Sequence, residues 1–147
     1  MNFPRLLCTA AAAAALSGAF APAWAEDVHA SADIVRSTED GHAFQNGGVS
    51  KDQVAEMNHR MAPYDLRLTF SEGRHDDYAA GLDLKITDAT GHPVFTYGDA
   101  GPLTDVKLPA GHYRVDASFG GVMRSGSVDV KPGEHAFLYL HWPRDET

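Results

Sequence analysis

Cysteine occurs once in the 147 residues, at Cys8. That excludes a disulfide framework and, beyond residue 8, any thiol nucleophile. The position is inside an apolar run, between Leu7 and Thr9, with no small residues leading up to it as lipid attachment requires. Long apolar stretches are equally scarce. Leu6 to Phe20 is the one run of note, and it is shorter than the ~20 residues that cross a bilayer. Positive charge is in deficit, 12 Lys and Arg against 20 Asp and Glu, for a net charge of −8. A chain so charged is poorly suited to nucleic-acid phosphates or anionic membrane surfaces. The enzyme signatures G-x-S-x-G, H-E-x-x-H and the Walker loop do not occur. Serines, histidines and aspartates are scattered, so no triad can be argued from spacing.

The beginning of the chain reads as an export signal. Arg5 is a lone early positive charge, an alanine-dominated run follows, and Ala23-Trp24-Ala25 is a small-x-small cleavage site. Removal of residues 1–25 takes Cys8 and Arg5 away and leaves roughly 120 residues, enough for one domain with its own core. The expected product is soluble, periplasmic or secreted, and not inserted in a membrane. Residues 26–48 have little periodicity and read as a flexible N-terminal arm, with Ile34, Val35 and Phe44 available to pin it.

Residues 49–142 form the expected folded body, and 143–147 a tail. Val49–Met61 predicts the one substantial helix. Ser50 and Gln53 have capping-box spacing, Val49 and Val54 that of a hydrophobic staple, and Pro63 marks the stop. From Tyr64 the period changes to two. Leu66, Leu68 and Phe70 alternate with polar residues, as do Leu82, Leu84 and Ile86. The stretch Gly101–Phe119 reads as strand, tight turn, strand, with Pro109-Ala110-Gly111 reversing the chain. Gly120-Gly121 marks a two-residue hairpin turn, and a bulge is expected near Gly126. About seven short strands result, predicting a mainly β, antiparallel sandwich preceded by one short helix. The last strand, Ala136–His141, is apolar on both faces. Of its two faces, Leu138 with Leu140 and Phe137 with Tyr139, one is expected to meet the core and the other to lie under the helix, with a partner contact as the alternative.

Two motifs carry a resemblance. Asp88-Ala89-Thr90-Gly91 has the form D-x-x-G, and Leu108-Pro109-Ala110-Gly111-His112-Tyr113 the form L-P-x-G-x-Y. With the strands around them, Gly81–Val130 resembles the carboxypeptidase regulatory-like domain, a transthyretin-like β-sandwich. The whole of the chain after residue 25 resembles small exported bacterial proteins carrying that domain behind a short helix. The resemblance implies a seven-stranded sandwich and structural roles for Gly91, Pro109, Gly111 and Tyr113. Tyr113 is expected to fill the core beside the turn and bond nearby backbone through its hydroxyl. It also implies a non-catalytic module without cofactor, binding an envelope protein or a small ligand. A hydrolase of the urate pathway shares the fold but ends Tyr-Arg-Gly-Ser, whereas this chain ends Pro143-Arg144-Asp145-Glu146-Thr147.

The eight histidines supply the alternative, a periplasmic transition-metal-binding protein. No H-x-H or H-x₃-H pair exists, and on a helix His59 points away from Met57 and Met61. The candidates for that reading are His75, Asp76 and Asp77 of one polar loop, together with His112. His29 misses by one position the third-residue placement that an amino-terminal copper site needs. Sequencing the amino terminus of the exported protein should return Glu26 first. A start before Ala23, or retention in the membrane fraction, would reject the signal reading.

Overall fold

Period-two alternation after Tyr64 produces strands whose apolar sides must meet across a second layer, and two sheets do so in the computed structural model, which describes residues 33–144. The chain runs β1 (Val35–Glu39), β2 (His42–Gly47), α1 (Lys51–His59), β3 (Leu66–Glu72), β4 (Asp77–Tyr78), β5 (Leu82–Asp88), β6 (Pro93–Ala100), β7 (Leu103–Val106), β8 (Gly111–Phe119), β9 (Val122–Val130) and β10 (Ala136–Trp142). Sheet A has the order β1-β2-β7-β3-β10, with the short β4 also on β3; sheet B has the order β6-β5-β8-β9. Their inner faces share one core. Leu66, Leu68 and Phe70 come from sheet A and Leu84, Ile86, Phe95 and Val115 from sheet B, each 3% exposed or less. Phe44 of β2 meets Phe95 of β6 edge to face at 5.4 Å, a favourable geometry for two rings. The mainly β sandwich with one short helix is therefore the fold, built from ten strands among the described residues rather than seven.

Several expectations are corrected. The flexible arm expected over 26–48 is, from Val35 on, the β1–β2 hairpin, and it belongs to the sandwich. Asp40 and Gly41 make its two-residue turn at φ 51° and 82°, and Asp-Gly is a strong signal for that turn. Asp40 also accepts from the amide and hydroxyl of Thr96, both at 2.9 Å, tying the hairpin to β6. Pro109-Ala110-Gly111 does not close a hairpin. β7 lies in sheet A and β8 in sheet B, so the turn carries the chain from one layer to the other. Gly111 lies outside the positive-φ region and pairs with Val130. No bulge falls at Gly126, because β8 and β9 keep register from Gly111–Val130 to Phe119–Val122. A Cβ at Gly126 would stand 3.0 Å from Leu138, so the glycine lets β9 lie close to β10. One strand pair departs from the antiparallel expectation: β10 runs parallel to β3, Ala136 opposite Leu66 through Trp142 opposite Glu72.

The helix forms where its caps predict. Ser50 Oγ accepts from the Gln53 amide at 3.2 Å. The Gln53 side chain reaches back past Ser50, accepting from Gly48 at 3.0 Å and Val49 at 3.1 Å, which ties the segment before the cap to the first turn of the helix. Met57 is fully buried. The helix lies against β2, not β10, so Phe137 and Tyr139 are not under it.

The turn motifs are built as follows. Asp88 Oδ1 accepts from the Thr90 amide, the Thr90 hydroxyl and the His92 amide at 2.9, 2.7 and 3.0 Å, and Gly91 takes φ 87°. The Thr90 hydroxyl, then the His92 amide, hold the Asp88 carboxyl below the usual carboxylate range. Tyr113 is 5% exposed, and its hydroxyl donates to the Pro109 carbonyl at 2.6 Å. Burial, helped by the charges of Asp88 and Asp65, raises its phenol above the ordinary value. Tyr113→Ala should cost about 3–5 kcal/mol, the range for emptying a large aromatic site. His112→Ala next to it should move stability by less than ~0.5 kcal/mol, since that ring faces solvent. Urea melts of both proteins check the contrast, and equal losses would contradict it.

Candidate functional site

The outer face of sheet A carries two polar arrays, and they differ in what covers them. The first is roofed by α1. Gln45 of β2, Asp105 of β7 and Arg67 of β3 lie side by side in register. Arg67 grips Asp105 with two parallel bonds, Nε to Oδ1 at 2.6 Å and Nη2 to Oδ2 at 2.7 Å. Its remaining Nη1 donates to Asn58 Oδ1 of the helix. Gln45 Nε2 donates to Asp105 Oδ2 at 2.6 Å and to the Met57 carbonyl at 3.2 Å. The Arg67 and Asp105 side chains are 8% and 0% exposed, and no buried side-chain nitrogen or oxygen among the described residues lacks a partner. The array fastens the helix to the sheet.

The second array is open and lies at the far end of β3 and β10. Parallel pairing sets His141 opposite Ser71, and β4 sets Tyr78 opposite Ser71 on the other side. Ser71 Oγ lies 2.8 Å from His141 Nδ1 and also bonds the Tyr139 hydroxyl. That hydroxyl donates to Asp76 Oδ1 at 2.8 Å, and Asp76 Oδ1 lies 3.3 Å from His141 Nδ1. The Tyr139 and His141 rings stack, 15° apart in plane with centroids 6.4 Å apart. Asp76 reaches this position from the β3–β4 turn with φ 54°, a left-handed conformation that aspartate tolerates better than most residues. The bond with Ser71 draws the Tyr139 phenol down. Desolvation and the bond and charge of Asp76 together outweigh it, so the phenol lies above its ordinary value.

Serine, histidine and aspartate meet here, but not as a hydrolytic triad. A triad places the nucleophile and the carboxylate on opposite ring nitrogens. Ser71 and Asp76 both approach Nδ1, and Ser71 is 1% exposed. The arrangement instead fixes the rings of Tyr139 and His141 on the sheet. Beyond them Phe137 is 65% exposed and Tyr139 51%, with Tyr78 at 53% on the neighbouring strand. A row of aromatic rings, partly immobilised from behind and open in front, offers contact area at small entropic cost.

The metal candidates do not converge. Asp76 joins His141, while His75 on the same turn and Asp77 at the start of β4 stay exposed. His112 is on the outer face of sheet B, 2.6 Å from Asp129 across the strands. His42 and His135 bond main-chain carbonyls of Lys107 and Tyr64, and His92 bonds Thr90. Among the described residues no three His, Cys, Asp or Glu gather to hold an ion; His29 and Cys8, like the expected signal segment, fall outside those residues. No described helix is long and apolar enough to cross a membrane. An open groove of ≈ 550 Å³ lies between the β1–β2 hairpin and the β7–β8 crossover, lined by residues including His42, Asp65, Lys107 and Pro109.

The row Phe137, Tyr139, His141 is visible in the sequence as period two. The partnership with Ser71 and Asp76 is not: Asp76 stands out there only as a metal candidate, and it is the parallel pairing of strands some seventy residues apart that brings His141 to Ser71. Arg67→Met should destabilise by about 3–5 kcal/mol by leaving Asp105 buried without its partner. Arg67→Met combined with Asp105→Leu should recover most of that loss in urea melts. No family model matches this chain, and no curated protein shows significant similarity to it.

Proposed function

We propose that the protein is a non-catalytic, exported β-sandwich module that binds a protein in the cell envelope through the aromatic outer face of β10. One observation carries the reading. Phe137 and Tyr139 stand 65% and 51% exposed on an uncharged strand, where a solvated sheet face would alternate to polar residues. Exposed aromatic rings clustered on one face are the usual mark of an interaction surface. The opposite outer face, on sheet B, is charged and polar apart from Met123, 64% exposed near the start of β9, and among the described residues has no exposed aromatic row. It carries Lys85, His112, Arg114, Asp116, Ser127 and Asp129, paired with one another in part. The resemblance of the D-x-x-G and L-P-x-G-x-Y motifs to carboxypeptidase regulatory-like domains supports the same class, since such domains commonly serve other proteins without catalysing. The signal-like residues 1–25 support the envelope.

The test is a photo-crosslinking amino acid placed at position 137 in the expressing cell, with position 127 on sheet B as control. Adducts with a second polypeptide should form at 137 and not at 127. Adducts at neither position, or equally at both, would contradict the reading.

A further inference from the structure

The four strands at the sheet edges are not alike. β1 carries Arg36 and Glu39. β6 opens on Pro93, holds Asp99 and shifts register twice against β5. β9 carries Arg124 and Asp129. Charges, prolines and irregularities of this kind keep a bare strand from pairing with another chain. β10, with the sequence AFLYLHW, has no lysine, arginine, aspartate, glutamate or proline. In its parallel ladder the Ala136 amide donates to Asp65 O at 2.7 Å, and the Trp142 carbonyl accepts from Gly73 at 2.9 Å. Main-chain direction alternates along a strand. The amides and carbonyls of Phe137, Tyr139 and His141 therefore point away from β3, and among the described residues no strand pairs with them. β9 crosses this corner on Gly126, yet it pairs only with β8.

We propose that this edge joins a second copy of the chain, β10 against β10, antiparallel about a two-fold axis at Tyr139. The proposal rests on β10 being the docking strand and adds the occupant and the register. A two-fold contact requires a surface complementary to itself, and β10 is one. With Tyr139 opposite its equivalent, Phe137 falls opposite His141 of the second copy, so every outer-face pair is aromatic, and Leu138 falls opposite Leu140. Aromatic cross-strand pairs are favourable in antiparallel sheets. The three outward-directed residues of each strand would exchange roughly six main-chain hydrogen bonds. Charge also selects this edge. Two copies of a chain with net charge −8 repel each other, and β10 brings no charged residue opposite another. Asp76, the carboxylate that reaches this face, is already engaged by Tyr139 and His141.

Light scattering on the purified protein should give a dimer mass that falls toward the monomer on dilution. Hydrogen exchange at the amides of Phe137, Tyr139 and His141 should slow as concentration rises. Tyr139→Lys, which sets two ammonium groups against each other at the axis, should give a monomer with an unchanged circular dichroism spectrum. Ser127→Lys on sheet B should remain dimeric. A monomeric parent protein overturns the proposal, as does a dimer that survives Tyr139→Lys or protects Val122 and Met123 instead. The exchange measurement decides the matter even where the lysine variant fails to fold. A monomeric parent that still yields a heterologous adduct from position 137 overturns this dimer and leaves the binding module standing. A monomer without any adduct overturns both.

Discussion

The Arg67–Asp105 pair is the constraint on which sheet A is arranged. Taking both charges out of water is unfavourable by several kcal/mol per ion, and only a fully bonded environment compensates. The compensation draws on four separate parts of the chain: Gln45 on β2, Asn58 near the end of α1, Asp105 on β7 and Arg67 on β3. Each part must be in place for the carboxylate and the guanidinium both to be satisfied. The pair thus fixes how β2, β7 and β3 slide against one another, and it fixes the helix over them. An apolar layer at the same place would tolerate neighbouring registers that this one excludes.

With the helix committed to β2, the far end of the sheet is left uncovered, and its polar groups satisfy one another instead. Ser71, Asp76, Tyr139 and His141 form a bonded group that immobilises two rings without enclosing them. The two arrays sit on the same face of the same sheet, and the difference between a structural element and a presenting surface is whether the helix lies above. That explains why the aromatic residues of β10 are open although an amphipathic helix exists to cover them.

Local patterns in the sequence correspond well to local structure. Ser50 and Gln53 cap the helix, Gly120-Gly121 turns β8 into β9, and the alternations of β3, β5 and β8 point their apolar sides inward. What was not legible is where long-range pairing decides. Pro109-Ala110-Gly111 has the residues of a hairpin turn, but whether the chain returns beside its own strand or crosses to the other sheet depends on partners elsewhere. β7 fills the gap between β2 and β3, and that choice forces the crossover. Asp40-Gly41 carried a hairpin signal in plain view, masked by the low hydrophobicity of Val35–Glu39, an edge strand exposed along its whole length. The candidate site was half legible: the aromatic row of β10 follows from alternation, while its support from Ser71 and Asp76 follows only from the parallel ladder.

That ladder also orders events in time. β3 is an early strand and β10 the last of the described ones, so this flank of sheet A stays bare until a strand some seventy residues further on has been made. Contacts between residues so far apart in sequence slow folding, because a large loop must close before they contribute. Sheet B, whose strands follow one another closely, can assemble first, and the arrival of β10 then covers Leu66, Leu68 and Phe70 along their open side.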